Sequence, residues 1–93
     1  MIEVNVIRSN DHFEFDVRVE ENGSETQHRV TMTRSDYRKL TGGRVTPAQC
    51  IEAAFKFLLD REPKESILSR FDVTVISRYF PNFREELPKY IQS

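Results

Sequence analysis

Phe13, Phe15, Val17 and Val19 alternate without a break with Glu14, Asp16, Arg18 and Glu20. Only an extended strand sends successive side chains to opposite faces, so this stretch dictates a strand with one face in a core and the other in water. Ile2, Val4 and Val6 alternate with Glu3 and Asn5 in the same way, as do His28, Val30 and Met32 with Arg29, Thr31 and Thr33. Asn10-Asp11 and Asn22-Gly23 separate the three runs, and Asn-Gly tolerates the positive φ angles of a tight hairpin turn. Residues 1–33 therefore predict a three-stranded antiparallel meander with one apolar face.

A meander of this kind needs a cover, and the next segments supply it. Ser35 is a candidate cap for a short helix over Asp36, Tyr37, Arg38, Lys39 and Leu40, which Gly42 and Gly43 would end. Thr46-Pro47-Ala48-Gln49 is a stronger start: Thr as cap, Pro where a missing N–H costs nothing, and Gln placed for a reciprocal capping box. From Pro47 to about Asp60 the polar residues Gln49, Glu52, Lys56 and Asp60 fall on one narrow stripe, which marks a largely buried helix. Pro63 onward predicts a short helix through Ile67 and Leu68. Phe71, Val73 and Val75 alternate like a strand, whereas Ile76, Tyr79 and Phe80 have helical spacing. The reading adopted is a helix with Asp72 as cap and Pro81 as stop. Phe83, Leu87, Tyr90 and Ile91 suit a last helix, kinked or split by Pro88.

The expected fold class is thus α+β: a three-stranded antiparallel β-meander (1–33), a basic connector (34–46), then a buried central helix and short C-terminal helices (47–93). Ninety-three residues carry one core, so a second independent domain is excluded. Apolar runs stay far below the ~18 residues that span a bilayer. The N-terminal Met-Ile-Glu-Val-Asn-Val lacks the basic segment and long apolar stretch of an export signal. With Cys50 as its one cysteine, the chain cannot form an internal disulfide, and the cytoplasm is the expected compartment.

The net charge of -1 gives no whole-molecule field to draw in nucleic acid or an anionic membrane. Its distribution is uneven, however. Residues 1–33 hold seven acids and three bases, while residues 34–50 hold one acid and four bases. Arg34, Tyr37, Arg38, Lys39 and Arg44 could grip phosphates and stack a base, the requirements of single-stranded nucleic-acid binding. Against this stands a solvated loop whose bases pair with the acidic sheet face, and that face would repel a nucleic-acid backbone running past the patch.

His28 falls on the apolar face of its strand and Cys50 near the start of the buried helix, so a Cys-His nucleophile pair is conceivable. A buried cysteine and a hydrogen-bonded core histidine are the commoner roles of these residues, and His12 belongs to a turn. No set of ligands for a metal or cofactor is evident. Neither the charge run Asp60 to Glu65 nor the pair Glu85 and Glu86 looks like two carboxylates held in a cleft for acid catalysis. No catalytic residue is therefore assigned.

Half of the ten aromatic residues fall in the last 23 positions: Phe71, Tyr79, Phe80, Phe83 and Tyr90. Two fates are open to them, closure of the core around the central helix or exposure as a partner surface. The leading expectation is a non-enzymatic protein-interaction or self-association module, a homodimer or a binder of another protein, with Tyr79, Phe80 and Phe83 as contact residues. Sheet edges left open by a three-stranded meander offer a second copy a further place to pair.

The segment from Phe55 through Asp60-Arg-Glu-Pro63 to Leu68, with Phe71-Asp72 and Val75-Ile-Ser-Arg-Tyr-Phe-Pro81, resembles small uncharacterised bacterial proteins built of short strands followed by helices. The resemblance implies a standalone bacterial domain with a helical C-terminal half. It carries over no activity and no site residue.

Overall fold

In a computed structural model describing residues 1–91, the three predicted strands form β1 (Ile2–Ser9), β2 (His12–Glu21) and β3 (Ser24–Thr33), each antiparallel to the next. Asn22 and Gly23 take φ values of 54° and 78°, the left-handed turn that an Asn-Gly pair makes cheaply. Phe13, Phe15, Val17 and Val19 are all buried, as the alternation requires, and Val30 and Met32 lie beside them on β3. The opposite face carries the charges. There Arg18 meets Glu3 at 3.3 Å and Glu25 at 3.4 Å, and Arg29 meets Glu14 at 2.9 Å. The Arg29 bond holds the Glu14 carboxyl below its ordinary range.

The sheet has four strands rather than three. Arg70–Asp72 forms β4, which lies parallel to β3 with Val30 opposite Phe71 and Thr31 opposite Asp72. The alternation of Phe71 with Val73, the residue just past the strand, pointed to it, but three residues are too few to outweigh the helical spacing that follows. One side-chain and one backbone bond fasten so short a strand: Thr31 Oγ1 donates to Asp72 Oδ1 at 2.5 Å, and Arg29 N donates to the Ser69 carbonyl at 2.8 Å. A parallel return needs a long crossover, and the two helices between β3 and β4 supply it.

The first of these, α1 (Arg34–Thr41), is capped by Thr33 rather than Ser35: Thr33 Oγ1 accepts from Asp36 N at 3.0 Å, and Ser35 lies within the first turn. Gly42 ends it in the left-handed conformation. The second, α2 (Pro47–Leu59), begins at the predicted capping box, with Thr46 and Gln49 bonded reciprocally at 3.1 and 2.9 Å. Its Cys50, Ile51, Ala53, Ala54, Phe55, Phe57 and Leu58 are buried between the sheet and the C-terminal third.

The helix expected after Pro63 shrinks to one 3-10 turn over Lys64–Ser66, because Ile67 returns to an extended backbone. Beyond β4, α3 (Thr74–Tyr79) has Val73 rather than Asp72 at its cap position, because Asp72 is the last residue of β4; Asp72 still holds the first residue of the helix, Oδ2 accepting from Thr74 N at 3.1 Å and Thr74 Oγ1 at 2.7 Å. The last helix, α4 (Phe83–Ile91), continues through Pro88 without splitting. It closes the core on Phe57, whose ring meets Phe80, Phe83 and Tyr90 edge-on at 5.7, 5.0 and 5.9 Å. Edge-to-face geometry is what ring quadrupoles favour, and four rings meeting this way fix how α4 sits on α2. No helix among the described residues is long and apolar enough to cross a membrane.

Candidate functional site

Between the end of α2, the 64–72 segment and α3 lies a cleft of about 350 Å³. Its floor is Leu58, Ile67, Phe71 and Ile76, all buried in the core. Its rim is Leu68, Val75, Tyr79 and Phe80, with Leu68 at 47% and Tyr79 at 67% exposure. Two polar side chains enter the lining, Glu62 and Ser66. Burial pushes the Glu62 carboxyl above its ordinary range, since apolar neighbours penalise the charged form.

Local chemistry explains this shape. Pro63 and the single turn after it lift the chain off α2, and the extended Ile67 sends alternate side chains inward and outward. The buried Ile67 and exposed Leu68 follow directly. Beneath them His28 fixes the segment: Nδ1 lies 2.7 Å from the Leu68 carbonyl and Nε2 2.8 Å from Thr26 Oγ1. A carbonyl can only accept, so Nδ1 carries the proton and the imidazole acts as a two-ended brace.

The aromatic residues expected at a partner surface therefore separate. Tyr79 stands at the cleft rim and Phe80 is half-buried there against Phe57. Phe83 is a correction: at 1% exposure it belongs to the core, because its side of α4 faces Phe57. Leu68, Val75 and Glu62 complete the cleft and were missed. The Ile67-Leu68 pair carried the signal, but it reads as one side of a helix until the extended backbone at Ile67 is known.

The basic connector is also reassigned in part. Arg34 donates to the Asn10 carbonyl at 2.7 Å and the Ser9 carbonyl at 3.1 Å, and its guanidinium lies 4.6 Å over the Phe13 ring. Tyr37 packs edge-on to Phe13 at 5.7 Å while its hydroxyl donates to the Val45 carbonyl. Arg34 thus ties α1 to the β1–β2 turn, while the half-buried Tyr37 ties it to Phe13 of β2 and to the loop before α2. Arg38, Lys39 and Arg44 remain exposed. Lys39 lines a smaller hollow of about 230 Å³ with Arg84, but Asp36 shares it and offsets their charge.

Cys50 and His28 are not brought together. Cys50 Sγ lies 3.9 Å from Met32 Sδ, four residues along β3 from His28, a separation of about 13 Å at strand rise. Burial pushes the Cys50 thiol up to about 12, the reverse of what a nucleophile needs. The charge run after α2 is partly structural: Arg61 lies 3.7 Å over Phe57, and the Tyr90 hydroxyl donates to Asp60 at 2.6 Å. Among the described residues no group of His, Cys, Asp and Glu could hold a metal ion.

No family model, curated protein or solved structure matches this chain.

Proposed function

We propose that this protein is a non-enzymatic protein-interaction module whose contact surface is the cleft beside α3. The carrying observation is that two exposed apolar side chains, Leu68 and Tyr79, stand on the rim of one apolar hollow. Single apolar residues on a surface are ordinary, whereas exposed ones gathered around a concavity are where binding energy is available. The hollow suits one or two anchoring side chains of a partner segment. Glu62 supports a basic residue beside those anchors, since a cation would restore the stabilisation that burial removes from the carboxylate. Neither Ser66 nor Glu62 has a histidine or second carboxylate in the lining to activate it, which favours binding over catalysis.

Photocrosslinking tests this reading. Tyr79→benzoylphenylalanine, in cells producing the protein, should yield one discrete adduct that Leu68→Asp abolishes. The same crosslinker at Gln27, on the polar face of the sheet, should not yield it. A second copy in the adduct would make the cleft a self-association seam. Equal adducts from both positions, or none from Tyr79, would overturn the proposal.

A further inference from the structure

β1 ends the sheet, and among the described residues β2 is its one strand partner. Met1 and Glu20 exchange two backbone hydrogen bonds, Met1 N to Glu20 O at 2.6 Å and Glu20 N to Met1 O at 2.8 Å. Because antiparallel ladders alternate, Glu3 and Asn5 also turn their backbone groups toward β2, while Ile2, Val4 and Val6 turn theirs to the open edge. Folded proteins usually protect such an edge with lysine, proline, an inward charge or a bulge. β1 is eight residues long and has no lysine or proline; its one such device is a bulge between Val6 and Arg8.

That bulge has a consequence for the pattern of side chains. It takes Ile7 out of the ladder and returns Arg8, opposite Glu14, to the face that carries Glu3 and Asn5. Val6, opposite Phe15, stays on the helix-covered face with Ile2 and Val4, yet it is 47% exposed. Glu3 and Arg8, the two charged residues of β1, therefore lie on one face at equal ladder steps on either side of Asn5.

We infer that β1 pairs antiparallel with β1 of a second copy about a two-fold axis at Asn5, joining two sheets into one. In this register Glu3 faces the partner's Arg8 and Val4 faces the partner's Val6, each pair occurring twice. Val4 and the partner's Val6 both turn their backbone groups outward, so they exchange ladder hydrogen bonds, and Val6 gains an apolar neighbour on its open side. Shifting the axis to Val4 would set Glu3 against the partner's Asn5 and leave Arg8 with no acid across the seam, so the charges select Asn5. The seam is at the far edge of the sheet from β4 and the cleft, and it stands independently of the proposed function.

Sedimentation of the full chain up to about 100 µM tests it, a range in which a small strand-pairing seam should be populated. A dimer is expected, and Val6→Lys, at an exposed position, should give a monomer with an unchanged far-UV spectrum. Glu3→Arg or Arg8→Glu alone should raise the dissociation constant about tenfold through two like-charge pairs, and the double exchange should restore it. Hydrogen exchange should slow at the Val4 and Val6 amides on dimerisation, with Glu3 and Asn5 already protected by β2. A monomer at the highest concentration, a dimer that survives Val6→Lys, or a double variant weaker than both single ones would overturn the inference.

Discussion

The imidazole of His28 on β3 bonds the backbone carbonyl of Leu68, forty residues further on, through Nδ1 at 2.7 Å. One side chain thus holds the extended segment that leads into β4 and shapes one wall of the cleft. Its ring also lies against Phe55 of α2 at 5.4 Å, so sheet, helix and segment meet on it. His28→Ala should cost about 2–4 kcal/mol, from the ring's lost packing and from a carbonyl left without its partner. Urea denaturation measures this, and hydrogen exchange in residues 67–72 should quicken more than in β1.

Cys50 should be inert in the folded protein. Its thiol is fully buried, and burial pushes it up to about 12, so almost no thiolate exists near neutral pH. A disulfide reagent such as Ellman's should react only on unfolding, at a rate set by denaturant concentration. Fast native-state labelling would show that α2 opens locally.

The fold was legible where one period ran long enough to exclude the other. Seven residues of strict alternation at Phe13–Val19 fixed β2, and the Thr46-Pro47-Gln49 signal placed the start of α2 to the residue. β4 escaped because three residues carry little periodicity and its partners on β3 lie 41 residues away, a contact that local patterns do not encode. The cleft was half legible for the same reason: Tyr79 and Phe80 stood out as aromatic residues, but the exposure of Leu68 depends on the extended backbone at Ile67. Nor did residue type reveal that Arg34 and Tyr37 are held by the carbonyls of Ser9, Asn10 and Val45, which only the tertiary arrangement brings near.

Arg34 and Arg38 should behave as opposites despite their equal charge. Arg34→Ala removes two bonds to carbonyls and a guanidinium stacked on Phe13, and should lower stability by about 1–2 kcal/mol. Arg38→Ala, exposed on α1, should stay within about 0.5 kcal/mol of the parent. If the connector instead serves nucleic acid, Arg38→Ala and Arg44→Ala should weaken low-salt binding to a short oligothymidine without moving the unfolding midpoint.

Tyr79 and Phe83 should part in the same manner. Phe83→Ala empties a site packed edge-on against Phe57 and should cost about 3–5 kcal/mol. Tyr79→Ala removes a ring that is 67% exposed and should change stability by less than about 1 kcal/mol. Thermal unfolding of both variants separates a core ring from an exposed one.

Glu62 should make stability fall with rising pH at this position. Its proton affinity is raised in the folded chain by burial, so the folded state holds its proton more tightly than the unfolded state does. Below the unfolded value, about pH 4.3, both states are protonated and the penalty is absent. As pH rises through the higher folded value the carboxylate forms beside Leu58, Phe71 and Ile76, and the penalty becomes complete. Glu62→Gln should therefore raise the unfolding midpoint near neutral pH and leave it unchanged in acid. Glu14 works in the opposite sense: Arg29 lowers its value, so the stabilisation it gives is present above the unfolded pKa and lost as pH falls through the folded one. Comparing Glu62→Gln with Glu14→Gln across the acid range separates the two, because the first gains stability only at high pH and the second loses it only there.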